Sequence, residues 1–281
     1  MAEAEGFTPS VDYLIEPSSH WWNFGLKELW EYRDLLYFIG WRDVRVRYKQ
    51  TALGAAWAVL QPLLTMLVFT IVFGKLAKVS SGGVPYPVFA YVALLPWQLF
   101  AFSLTESSNS LISNQNLVKK VYFPRLAVPV ASVFAGLVDF AISFLLLIAL
   151  MAYYHIKPTA HVAYLPLYLA LAVATALTAG LWLSALNVRF RDVRYMVPFL
   201  TQFWLFITPV AYPASLIPEH FRAWYGLNPM AGVVEGFRNA LLGTPASDPH
   251  LVWISVAVVA LLLVGGLIHF RRMEATFADV I

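Results

Sequence analysis

The chain has 281 residues and not one cysteine. Disulfides and thiolate metal sites are therefore excluded. Charge is scarce as well: Asp, Glu, Lys and Arg make up 12% of the residues, against about 25% in soluble domains. The Gly-rich loop that cradles nucleotide phosphates is also missing. The Gly74-Lys75 pair lacks the upstream glycine and the following Ser or Thr, so the chain is not expected to hydrolyse ATP. Six histidines are scattered, none at metal-ligand spacing. The first 20 residues start acidic and contain no apolar core, so they are not expected to act as a cleavable signal peptide. Residues 1–24 read as a polar leader. No direct or inverted repeat is present, which weighs against a complete secondary carrier.

What is there is apolar. Hydrophobic residues make up 60% of the chain and the mean hydropathy is +0.67. Such residues gathered into runs of about 20 mean bilayer spans. Six segments qualify, roughly 51–74, 88–105, 126–154, 162–188, 196–212 and 251–270. The expected fold is an all-α polytopic membrane protein, with residues 51–281 forming one six-span domain. Spans two and five are short and contain Pro96, Pro198 and Pro209, so kinks or partial unwinding are expected there. With the N-terminus inside, 14 of the 19 Lys and Arg residues fall on the cytoplasmic side. The positive-inside rule then places both termini in the cytoplasm.

Residues 25–50 read as a cytoplasmic interfacial helix. In "FGLKELWEYRDLLYFIG", Lys27, Glu28, Glu31 and Asp34 share one face, while Leu26, Leu29, Trp30, Leu36 and Ile39 share the other. An amphipathic helix with Trp and Tyr beside a span is expected to lie in the interface plane. Gly40 offers a bend before Arg42. The cluster Arg45, Arg47 and Lys49 runs directly into the first span, and reads as a headgroup anchor rather than a nucleic-acid patch.

Between spans five and six, Asn228-Pro229 is a helix start and Gly243 a stop. Met230, Val233, Val234, Phe237 and Leu241 form an apolar stripe; Glu235, Arg238 and Asn239 form a polar one. About 14 residues rise about 21 Å, too short to cross. The segment is expected to be re-entrant or to lie on the outer surface, after a short helix near Glu219–Tyr225.

Two carboxylates lie within spans. An intramembrane carboxylate is a functional candidate by default. Glu106 is read as a structural hydrogen bond to Ser or Asn on a neighbouring helix; Asp139 stays open between structure and function. Aromatics reach 16%, and rings stack on the C–H faces of sugars. Phe199, Phe203 and Phe206 share one face of span five, and Trp57, Gln61 and Thr65 one face of span one. These are candidates for lining a path, against ordinary packing on lipid or neighbouring helices. The loop "NLVKKVYFPR" sets Lys119, Lys120 and Arg125 beside Tyr122 and Phe123 and breaks at Pro124. Charges beside exposed aromatics suit a docking surface for a soluble partner, or contact with anionic lipid.

Five stretches carry a family resemblance: "RDVRVRYKQTALGAAWAVLQPLL" (42–64), "NLVKKVYFPR" (116–125), "NVRFRDVRY" (187–195), "TPVAYP" (208–213) and "LNPMAGVVEGFRNALLG" (227–243). In this order they resemble the membrane subunit of type-2 ABC exporters for polysaccharides such as O-antigen, capsule or teichoic acid. The resemblance implies a homodimer served by two copies of a separate cytoplasmic ATPase, which carries the ATP and Mg. It implies docking at Asn116, Lys119, Lys120, Tyr122, Phe123 and Arg125, and a path framed by spans one and five, with Trp57, Gln61, Phe199, Phe203 and Phe206. It also implies an outer gate at Pro229, Glu235, Phe237 and Arg238, and a lipid-linked glycan substrate in the inner membrane. Arg45, Arg47 and Lys49 are then placed to meet the carrier's diphosphate as well as headgroups.

The rival within transport is a lipid or drug exporter of the same fold. A membrane transferase for lipid-linked sugars would need a polar catalytic cluster at one interface, and a channel would need a selectivity ring. The sequence offers neither.

Overall fold

The computed structural model describes residues 26–49, 56–244, 249–274 and 277. The leader 1–24 and the junction 50–55, where the first span should begin, lie outside the described residues. Among the described residues every regular element is helical. The α-helices are α1 (Leu26–Glu31), α2 (Arg33–Lys49), α3 (Ala56–Phe69), α4 (Tyr86–Ser113), α5 (Gln115–Lys120) and α6 (Ala127–Ala131). They continue as α7 (Val133–Tyr153), α8 (Leu165–Arg189), α9 (Val193–Ile207), α10 (Glu219–Tyr225), α11 (Pro229–Leu242) and α12 (Pro249–Glu274). A π-helical stretch, Thr70–Leu76, extends α3.

Five stretches are long and apolar enough to cross a bilayer: Ala56–Leu76, Tyr86–Ser113, Ala127–Tyr153, Ala160–Arg189 and Val252–Glu274. The apolar α9 is shorter, at 15 residues. They follow the six expected segments in order. The end of the bundle that carries α1, α2 and α5 is called the basic end below; α10 and α11 lie at the far end.

The hub is α4, which packs against α3, α7, α8, α9 and α11. Its 28 residues are helical through Pro96, so the partial unwinding expected there does not occur. Proline removes one backbone hydrogen bond, but residues 88–95 are wholly buried and the surrounding helices hold the turn in place. The polar tail of α4 meets α8 at close quarters. A Cβ on Gly180 would stand 2.4 Å from Ser107 Oγ, so only glycine permits this approach.

The N-terminal helices differ from the two-faced pattern expected of them. Leu29, Leu35 and Leu36 pack against a second core at the basic end, built on Phe123, Phe270 and Phe277. Trp30, Tyr37, Phe38 and Trp41 point outward and are exposed. One apolar side therefore meets protein, and the other presents the aromatic rings that suit headgroup depth. Gly40 does not bend the chain: α2 is helical through it, and the Phe134 ring lies 2.9 Å from where a Cβ would be.

At the far end α11 keeps its expected boundaries. Asn228 caps it by accepting from Met230 N–H at 3.2 Å, and Gly243 ends it with a φ of +68°. The apolar stripe is buried as expected. The helix is inserted between α4, α8 and α12 rather than laid over them.

Candidate functional site

A cavity of about 420 Å³ opens between α3, α4, α7 and α9, with Arg47 of α2 at its basic end. Its wall is unusually polar for the interior of spans. Gln61 and Thr65 come from α3, Gln98, Thr105 and Glu106 from α4, Asp139 and Ser143 from α7, and Thr201 and Gln202 from α9. Between them stand the rings of Trp97, Phe102 and Phe140. Each amide sits in an otherwise apolar run. Helical spacing brings them to one side because the rest of each helix must face lipid or protein.

Arg47 closes the basic end. Its Nη2 stands 2.7 Å from Asp139 Oδ2, and its guanidinium lies 4.4 Å from the Phe102 ring centroid. Tyr48 donates its hydroxyl to Asp139 Oδ1. Burial, then the bond to Asp139, push the Tyr48 phenol well above its usual range, so it remains a donor at physiological pH. Asp139 thus ties the end of α2 to α7. Glu106 lines the cavity instead, without a bond to Ser or Asn among the described residues, contrary to its reading as a structural link. Arg47 already faces Asp139, so it does not offer the uncompensated charge that a diphosphate needs. Arg45, over Trp41 at 5.7 Å, and Lys49 are exposed at the same end and do not line the cavity.

The expected path residues divide. Gln61 lines the cavity; Trp57 is exposed outside it. Phe199, Phe203 and Phe206 do share a face, but it is the other face of α9. Phe199 is 70% exposed, and Phe203 borders a second, apolar cavity of about 480 Å³ with Leu200, Trp204, Ile207, Trp224 and Leu227. The α9 side chains on the polar cavity are Pro198, Thr201, Gln202 and Leu205.

The loop expected to dock a soluble partner also divides. Asn116, Lys119, Lys120 and Tyr122 are exposed, and Tyr122 shows 69% of its surface. Phe123, expected to be exposed, is 4% exposed and belongs to the basic-end core. Arg125 is half-buried and bonds Glu274 at the end of α12.

The expected outer-gate residues point inward. Pro229 and Phe237 are buried, and Phe237 meets Phe140 edge-on at 6.2 Å. Arg238 is 1% exposed. It donates to the carbonyls of Pro209 at 2.5 Å, Val210 at 2.7 Å and Tyr212 at 3.2 Å. It also pairs with Glu235 at 3.2 Å and lies 3.6 Å from the Phe89 ring. Burial lowers its pKa to about 10, which still leaves it charged at neutral pH. Arg238 thus serves the non-helical backbone after α9, where carbonyls would otherwise be orphaned.

Residues 34–242 match the ABC-2 type transporter family. The chain belongs to that family. It is a multi-pass membrane protein with the expected run of apolar helices. It is similar to the O-antigen export system permease protein RfbA of Myxococcus xanthus, at 32% identity over 91% of this chain and 98% of the relative. A Klebsiella pneumoniae protein of the same name is 29% identical over 88% of this chain and 95% of its own length. The polysialic acid transport protein KpsM of Escherichia coli is 26% identical over 83% and 92%. In this ABC-2 chain, Gln98, Phe102, Thr201 and Gln202 are cavity residues that the sequence reading passed over. Lone amides inside apolar runs were the available signal.

Proposed function

We propose that the chain is the permease subunit of an ATP-driven exporter of a lipid-linked, O-antigen-like polysaccharide. It works in the cytoplasmic membrane as a homodimer with both termini inside. Two separate ATPase subunits bind ATP and Mg and dock on the exposed patch Asn116, Lys119, Lys120 and Tyr122. The basic end is the cytoplasmic one. The relatives' names and their near-full-length coverage support the substrate class.

The observation that carries the reading is the cavity wall. Three amides, several hydroxyls and three rings within one polar cavity suit a hydroxyl-rich chain, which exchanges many weak hydrogen bonds and stacks its C–H faces on rings. An apolar substrate would leave those amides unpaired, at about 1–3 kcal/mol for each.

The test is export in cells that lack the chain and are complemented with it, with and without an ATPase subunit. Surface polysaccharide should return only when both are present. Export with the chain alone would remove the reading.

A further inference from the structure

At the basic end, ionic side chains from three separate parts of the chain meet. Arg271, near the end of α12, reaches Glu28 of α1 through Nη2 at 3.2 Å and Glu274 through Nη1 at 2.8 Å. Glu274 Oε1 accepts from the backbone N–H of Arg125 at 3.1 Å. Its carbonyl accepts from the Arg125 guanidinium. Beneath these bonds Phe123, Phe270 and Phe277 share one core, with the last two rings 5.2 Å apart. The Arg271 and Glu274 side chains are 15% and 16% exposed, so water and salt screen them far less than a surface pair. The loop after α5, the helix α1 and the end of α12 are therefore joined by charge above and packing below.

The other end of α12 reaches α11. Ser255 sits against Gly232, where a Cβ would come within 2.7 Å of its Oγ. The same hydroxyl donates to Gly226 O at 3.3 Å, just ahead of α11. With 26 residues, α12 spans about 39 Å. It lies against α8 along one side and against α11, and such packed contacts transmit strain.

We propose that α12 is a connecting rod, in which Glu274 and Arg271 are positioning residues that hold the loop 116–125 to α12. A push on that loop is delivered along α12 to α11 at the far end. This rests on the reading above that a separate ATPase docks on the loop. The family resemblance assigns the loop to docking; the part played by the last helix comes from this junction.

The experiment compares wild type, Glu274→Ala and Glu274→Gln, each purified with the co-expressed ATPase. Co-purification, ATP hydrolysis and export are measured on the same preparations. Glu274→Ala should retain the ATPase but lower export per ATP hydrolysed by at least about fivefold, the lower edge of measured coupling effects. Glu274→Gln keeps an acceptor for Arg125 N–H and should recover most of the loss. The absence of native cysteine allows a second measurement, independent of charge. An R125C/E274C pair should export poorly until a short bifunctional thiol reagent bridges it, and should then recover.

If wild type binds no ATPase, the docking reading falls and takes this inference with it. If wild type binds the ATPase but Glu274→Ala exports normally per ATP, the inference alone is overturned. Bridging the cysteine pair without any recovery of export overturns it as well.

Discussion

Arg47 Nη2 and Asp139 Oδ2 stand 2.7 Å apart, joining the end of α2 to the interior of α7. Two sites that the sequence treats separately, a basic anchor and a lone intramembrane carboxylate, are one contact. Removing either partner takes away the ionic half of the contact, leaving Asp139 its bond from Tyr48 and Arg47 its place over the Phe102 ring. We expect Arg47→Met or Asp139→Asn to destabilise the detergent-solubilised protein by about 1–2 kcal/mol. That is less than the 3–5 of a fully buried pair, because Arg47 keeps a third of its exposure. In a double-mutant cycle the combined variant should cost clearly less than the sum. Strict additivity would mean that the contact contributes nothing.

Arg238 holds three carbonyls of the segment after α9. Arg238→Leu removes the donor to these carbonyls and the ion pair with Glu235. A loss of about 3 kcal/mol or more is expected, read as a fall in thermal unfolding temperature and in folded yield. A gate residue that faced an opening would change export with little effect on unfolding, and that result would return Arg238 to its first reading.

Gln61 and Gln202 line the same polar cavity, while Phe199 and Phe206 are exposed and do not line it. Gln61→Leu with Gln202→Leu should cut export about tenfold or more, corresponding to about 1.4 kcal/mol, with ATPase association unchanged. Phe199→Ala with Phe206→Ala should instead weaken self-association, seen as a shift toward monomer in sedimentation. A dimer that stays intact but ceases to export would restore the rings to the path.

Adjacent residues in the loop 116–125 separate packing from surface contact. Phe123→Ala opens the basic-end core and should cost about 3–5 kcal/mol. Tyr122→Ala removes an exposed ring and should leave unfolding unchanged within about 0.5 kcal/mol while lowering ATPase co-purification. Equal thermal effects from the two variants would contradict this division.

Gly180 fits against Ser107 with no room for a methyl group. Gly180→Ala should destabilise by about 1–3 kcal/mol through overpacking, and Ser107→Gly in the same chain should relieve most of it. Failure of the second change to help would place the strain elsewhere.

Local features were legible in the sequence. The apolar runs predict the spans, and Asn228-Pro229 and Gly243 bracket α11 because caps depend on residues a few positions apart. Facing was not legible. Periodicity groups Phe199, Phe203 and Phe206 on one side of α9 but does not say whether that side looks inward. Phe123 sits beside charges in sequence, yet its partners Phe270 and Phe277 come from the other end of the chain. Arg238 belongs to a polar stripe only until the carbonyls of Pro209, Val210 and Tyr212 fold back onto it. The role of Asp139 is not legible in the sequence because its partners, Arg47 and Tyr48, precede the first span.

With 15 residues, α9 rises about 22 Å, while the hydrocarbon layer of a bilayer is about 30 Å thick. The helix stops at Thr208, whose extended backbone (ψ 140°) is what the following Pro209 imposes, and Arg238 supplies donors to the carbonyls beyond it. The shortfall of some 8 Å is met by snorkelling side chains, by self-association or by local thinning, at fractions of a kcal/mol per Å. A helix of this length meets the bilayer with less hydrocarbon than its neighbours do, and the segment after it carries the polar backbone that Arg238 satisfies.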